Sequence, residues 1–113
     1  MNLTFLYSAR FVREWDRHRL NDADLQALEA AIQKSPDGPP VIGGTGGLRK
    51  MRFAPPSRHT GKRGSFRVGF AYFQVKAAIF VVALIAKNEA ANFTAKERAE
   101  IAAELKRAER NFK

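Results

Sequence analysis

Residues 45–53 read Thr-Gly-Gly-Leu-Arg-Lys-Met-Arg-Phe, and residues 61–67 read Gly-Lys-Arg-Gly-Ser-Phe-Arg. Six of these residues are lysine or arginine, and none is acidic. From Leu48 to Phe53 apolar and cationic side chains share the segment in alternation. From Phe66 onward Phe66, Val68, Phe70 and Tyr72 alternate with Arg67, Gly69 and Ala71. A period of two marks a strand whose faces differ. The stretch therefore predicts strands over 48–54 and 64–73, joined by a basic loop over 55–62.

The remaining elements sort around this pair. Residues 2–7 read as a short strand with Leu3, Phe5 and Tyr7 on one side. Ser8 is placed to cap a helix from Ala9 to about Arg19, with Phe11, Val12 and Trp15 on its apolar stripe. Asn21 caps a second helix carrying Leu25, Leu28 and Ile32, and Leu20 with Leu25 is spaced as a hydrophobic staple. Pro36, Pro39 and Pro40 end it. Residues 43–47 read as a flexible glycine turn ahead of the basic strand. Residues 78–86 are apolar on both faces, which predicts a buried central strand. Thr94 and Glu97 form a capping box, opening a last helix with Ile101, Leu105, Ala108 and Phe112 on one stripe. The order is βααβββα, an α+β fold in one domain over 1–113. It implies a small, mainly antiparallel sheet with an N-terminal helical hairpin and a C-terminal helix.

Strand parity locates the charge. Lys50 and Arg52 share a face, opposite Met51 and Phe53, and Arg67 lies opposite Phe66 and Val68. If the apolar set faces the helices, Lys50, Arg52 and Arg67 converge on the other side. Arg58, Lys62 and Arg63 then stand at the rim, and Lys87 leaves the central strand nearby. Exposed strand cations can serve only to solubilise a sheet and guard its edge. A cluster without acidic neighbours is costlier. At ~5 Å and an effective dielectric near 20, each like pair repels by on the order of 3 kcal/mol before screening. Such a face suits a phosphodiester chain, which arginine grips bidentately and lysine meets as a point charge. The net charge of +9 points the same way.

RNA carries its own nucleophile, the 2′-hydroxyl, so its cleavage needs no metal or cofactor. The protein must remove one proton, donate another and stabilise a dianionic transition state. A histidine pair suited to this is absent, since His18 and His59 lie far apart in the chain. Like charges around a lysine favour its neutral form. Lys50 is therefore the candidate base, Arg52 and Arg67 the candidates for holding the phosphorane, and Lys87 an assistant near the leaving group.

Three blocks carry a resemblance. Gly44-Thr-Gly-Gly-Leu-Arg-Lys-Met-Arg52, Gly61-Lys-Arg-Gly-Ser-Phe-Arg67 and Ala86-Lys-Asn-Glu-Ala-Ala-Asn-Phe-Thr94 resemble the RelE/ParE superfamily of toxin–antitoxin toxins. They are most similar to the HigB branch, whose members carry GTGGLRK, GKRGG and YGKNE blocks. The resemblance implies a ribosome-dependent endoribonuclease that cuts mRNA in the ribosomal A site without a metal. It maps the basic cluster onto Lys50, Arg52, Arg67 and Lys87. Arg49, Arg58, Lys62, Arg63 and Phe93 are the expected RNA contacts. Phe93 stands where related toxins often have a tyrosine, and Ile85-Ala86 stands where they have Tyr-Gly. A cognate antitoxin, commonly of the helix-turn-helix type, is also implied, with operator DNA bound only through the complex. Two further readings stand beside this one: a ParE-like inhibitor of DNA gyrase, and a non-catalytic nucleic-acid binder.

Cysteine is absent, which removes disulfides and thiolate chemistry. The first residues show no secretory pattern, and the longest apolar run is about half a membrane span. A cytoplasmic protein without a membrane partner is expected.

Overall fold

The computed structural model describes residues 2–58, 65–86 and 93–112. Its elements are β1 (Thr4–Tyr7), α1 (Ala9–Arg17), α2 (Asp22–Lys34), β2 (Leu48–Phe53), β3 (Phe66–Phe73), β4 (Ala78–Ala86) and α3 (Ala95–Asn111). This is the expected α+β order. A one-turn 3₁₀ helix at Gln74–Lys76 joins β3 to β4. Among the described residues no helix is long and apolar enough to cross a membrane.

The caps form where the sequence puts them. The Ser8 hydroxyl accepts from the Phe11 N–H, and Thr94 and Glu97 close a reciprocal box. Asn21 is matched by Asp24 in a second box, with aspartate in the place more often held by glutamate or glutamine. Helix α1 stops at Arg17, short of the expected Arg19, because Arg19 turns to φ +56°.

The sheet order is β1-β4-β3-β2, antiparallel except for the β1–β4 pair. Strand β4 is internal, as its two apolar faces require. Its register slips once: Gly69 pairs with Ala83 but Phe70 pairs with Val81, so Val82 is an extra residue. The Ser8 hydroxyl donates to the Val82 carbonyl at 2.6 Å. One side chain thus caps α1 and satisfies the bulge.

The helices divide between the two faces. One face packs Phe53, Phe66, Val68, Phe70, Ile79, Val81 and Leu84 against Phe11, Trp15, Leu28 and Ile32 of the hairpin. The other packs Leu48, Ala71, Phe73, Phe80 and Val82 against Ile101 and Leu105 of α3. Lys50, Arg52 and Arg67 lie on the α3 side, so their face is partly covered rather than wholly bare.

Candidate nucleic-acid interface

Antiparallel register decides which side chains meet. Arg52 pairs with Arg67, Lys50 with Gly69 and Leu48 with Ala71. Opposed residues share a face, so three rows follow from the end of the β2–β3 ladder. The first is Arg52–Arg67–Ile85, the second Lys50–Gly69–Ala83, and the third Leu48–Ala71–Phe80. The third row is the floor on which Ile101 and Leu105 sit. The first two carry the cations.

A glycine turn sets the position of α3 on this floor. Gly46 has φ +73°, and a Cβ there would stand 3.4 Å from Cα and Cβ of Ala102. A larger residue would lift the helix. Thr45, fully buried, donates its hydroxyl to the Ile42 carbonyl at 2.6 Å and accepts from the Leu48 N–H at 3.0 Å. Arg98 of α3 donates to the Gly43 and Phe93 carbonyls. The expected flexible turn is therefore a hydrogen-bonded bracket between α3 and the start of β2. At the other end of α3, the Lys76 ammonium donates to the carbonyls of Glu109 and Phe112, a favourable place for a cation. A cavity of about 530 Å³ opens beside Gly46, Phe73, Ala102 and Lys106, away from the Arg52–Arg67 row.

Lys50 and Arg67 are half-buried and Arg52 is exposed. Among the described residues none of the three forms an ion pair with a carboxylate. The geometry offers two guanidinium groups across a ladder and an ammonium two residues along one strand. Such a set can hold a phosphate by more than one oxygen.

Other expected contacts go elsewhere. Arg49 points to the hairpin side with Met51 and Phe53, and its Nη1 donates to the carbonyls of Asp37 at 3.0 Å and Pro39 at 2.7 Å. Arg58 donates to the His18 carbonyl, and its guanidinium carbon lies 5.9 Å from the centre of the Phe66 ring. Neither joins the cation rows. Phe93 is half-buried and packs against the α3-side core. Lys62, Arg63 and Lys87 lie outside the described residues.

Sequence reasoning missed the partner of Asp24. This carboxylate is fully buried and accepts from the Ser57 hydroxyl at 2.6 Å and the Ser57 N–H at 3.0 Å, besides its box bond to Asn21. Burial works to raise its pKa. The bonds from Ser57 and Asn21, with the charge of Arg58, outweigh that and hold it below the ordinary value. An aspartate three residues after a capping asparagine is a visible signal of the box; nothing in the chain announces Ser57.

A small α+β domain with three strand cations grouped on one face of its sheet is what these observations define. The family described as the RelE toxin of the RelE/RelB toxin–antitoxin system matches residues 5–111. The chain belongs to that family. The fold is also similar to solved structures of the E. coli toxin. A double arginine-to-alanine mutant of RelE in the free state aligns with TM-score 0.56 and 15% identity, covering 93% of this chain and 98% of that one. The toxin in the intact E. coli RelBE complex aligns with TM-score 0.53 and 16% identity, covering 78% and 100%. The mutant bound to a RelB antitoxin peptide aligns with TM-score 0.51 and 18% identity, covering 93% and 95%.

Proposed function

We propose that this chain, as the toxin of a type II module, cuts mRNA on the ribosome. The observation that carries the reading is the placement of Lys50, Arg52 and Arg67 on one stretch of sheet, none of them paired with a carboxylate among the described residues. In this reading Lys50 accepts the proton of the 2′-hydroxyl as the oxygen attacks phosphorus. Arg52 and Arg67 hold the non-bridging oxygens of the phosphorane, whose added negative charge offsets their mutual repulsion. The bond to the 5′-oxygen breaks, leaving a 2′,3′-cyclic phosphate and a 5′-hydroxyl. Lys87 is assigned to the leaving oxygen by its place in the sequence just after the central strand and by the family resemblance, and Lys62 and Arg63 to the RNA backbone. Phe93 offers a ring for stacking but no hydroxyl to donate. Arg49 and Arg58 are left to the backbone carbonyls they already bind.

The same reading makes the protein cytoplasmic and places it in the HigB branch, on the strength of its three sequence blocks. It assigns a cognate helix-turn-helix antitoxin, and binding of operator DNA only through that complex.

The test is a purified-component translation assay beside the same RNA without ribosomes, with 5′ ends mapped. Cuts within translated codons are expected. Lys50→Ala should lower the rate by about 10²- to 10⁴-fold, and Lys50→Arg, which keeps charge but not a usable base, should not restore it. Intact RNA together with gyrase-dependent DNA breaks would overturn the reading in favour of a ParE-like activity. An undiminished Lys50→Ala rate would remove Lys50 from its role.

A further inference from the structure

Arg52 and Arg67 face each other beside the last pair of the β2–β3 ladder, Phe53 with Phe66. Opposed like charges push such strand ends apart. The connection between them runs over residues 54–65, too long to fix register as a tight hairpin turn would. Something else must hold this end closed. On the opposite face the Phe53 and Phe66 rings are buried. Phe53 stacks with Trp15 at 6.4 Å between centroids, and the His18 ring meets Phe66 edge-on at 4.8 Å. Just past β2 the chain is tied to the same corner. Ser57 gives both its hydroxyl and its N–H to Asp24, and Arg58 reaches the His18 carbonyl across the Phe66 ring.

A fully buried carboxylate is expensive unless well bonded. A capping box alone accounts for only one of the three bonds Asp24 accepts. We infer that Asp24 and Ser57 form a positioning strap: they tie the β2–β3 connection to the α1–α2 corner and thereby hold Arg52 and Arg67 at the spacing a single phosphate requires. Neither touches substrate. They act through the ladder end, from behind the cation rows. The inference rests on the nuclease reading for its kinetic consequence, but its structural half stands apart from it.

Ser57→Ala is the decisive variant. Ser57 is exposed and its loss leaves the Asn21–Asp24 cap intact, so the fold survives. The ribosome-dependent cleavage rate should fall about tenfold, the order expected for one bond to a charged group. KM should stay within about twofold, because long-range attraction of RNA depends on net charge. Ser57→Thr, which keeps the hydroxyl, should restore the rate. In ¹⁵N spectra, Ser57→Ala should shift the Arg52 and Arg67 amides, and Ser57→Thr should return them. A lowered melting temperature with wild-type rate and unmoved arginine amides would overturn the strap and leave Ser57 a stability residue. If the wild-type chain cuts no RNA, the nuclease reading fails alone, and the amide shifts still decide whether the strap positions the pair.

Discussion

Replacing Arg52 by glutamate should make this protein more stable and inactive. Arg52 and Arg67 are opposed on adjacent antiparallel strands, with Cβ atoms roughly 5 Å apart in such pairs. Coulomb's law at an effective dielectric of 20 gives ~3 kcal/mol for two unit charges at that distance. Arg52 is exposed and can swing its charge away from the half-buried Arg67. Measured cross-strand effects, from a few tenths to about 1 kcal/mol, are therefore the better guide. Arg52→Glu removes a repulsion and installs an attraction, so the gain should be about 1 kcal/mol. For a chain of this length that is about 4 °C in melting temperature. The control is Arg13→Glu on the exposed side of α1, which changes net charge equally but faces no opposed arginine. Thermal melts of the three proteins should be compared at about 0.01 M and about 1 M salt, where the screening length falls from about 30 to about 3 Å. The Arg52→Glu advantage should be clear at low salt and shrink at high salt. On the nuclease reading, ribosome-dependent cleavage under translation-assay conditions should also be lost. If Arg52→Glu melts no higher than Arg13→Glu at low salt, the two guanidinium groups do not confront each other, and the phosphate-clamp geometry is wrong.

Three other outcomes follow from single side chains. Asp24→Asn should cost about 1–3 kcal/mol at pH 7. The native pKa of Asp24 lies below its ordinary 3.8, so its contribution is present above that value and is lost as pH falls through the native pKa; urea unfolding near pH 2.5 should show a smaller gap than at pH 7. Glu29 has the opposite sign: burial raises its pKa above the ordinary 4.5, so the wild type loses stability as pH rises through the native value. Glu29→Gln still accepts from the Tyr7 hydroxyl, and should match the wild type at pH 4 and equal or exceed it at pH 7 in the same assay. Thr45→Val keeps volume but strips the hydroxyl from the buried bracket between the Ile42 carbonyl and the Leu48 N–H; it should cost about 2 kcal/mol and lower the melting temperature by about 8 °C.

Local signals carried most of the fold. Alternation in 48–53 and 66–72, three helix caps at Ser8, Asn21 and Thr94 and the apolar stripe from Ile101 to Phe112 each depend on neighbours in the chain, and each element formed. Three things were hidden for physical reasons. The slip at Val82 leaves no trace because β4 is apolar on both faces, so moving Ala83 and Ile85 to the cation side changes no residue class. The split of the helices across the sheet was readable only in part: Leu48 shares parity with Lys50 and Arg52, and an apolar residue on a cationic face hints that the face becomes core at one end. The ends of long side chains were not readable at all. Arg49 and Arg58 sit in a run of cations, yet backbone carbonyls of distant loops hold both.

That distinction gives the site a definite shape. Of the described strand cations, those that keep their charge uncommitted are the ones whose parity points them to the α3 side, in the two rows beyond Leu48–Ala71–Phe80. The reach of α3 is limited in turn by its fastenings. Gly46 under Ala102, Arg98 on Gly43 and Lys76 on the helix end hold it over the Leu48–Ala71–Phe80 row. A helix free to slide toward Ile85 would bury Lys50 and Arg67 without partners, at a cost of several kcal/mol per charge. The cations therefore keep the helix off one end of the sheet, and the glycine bracket keeps it on the other. The half-open cation end is a consequence of both, and enlarging Gly46 should disturb the cation face by shifting α3 before it changes any cation.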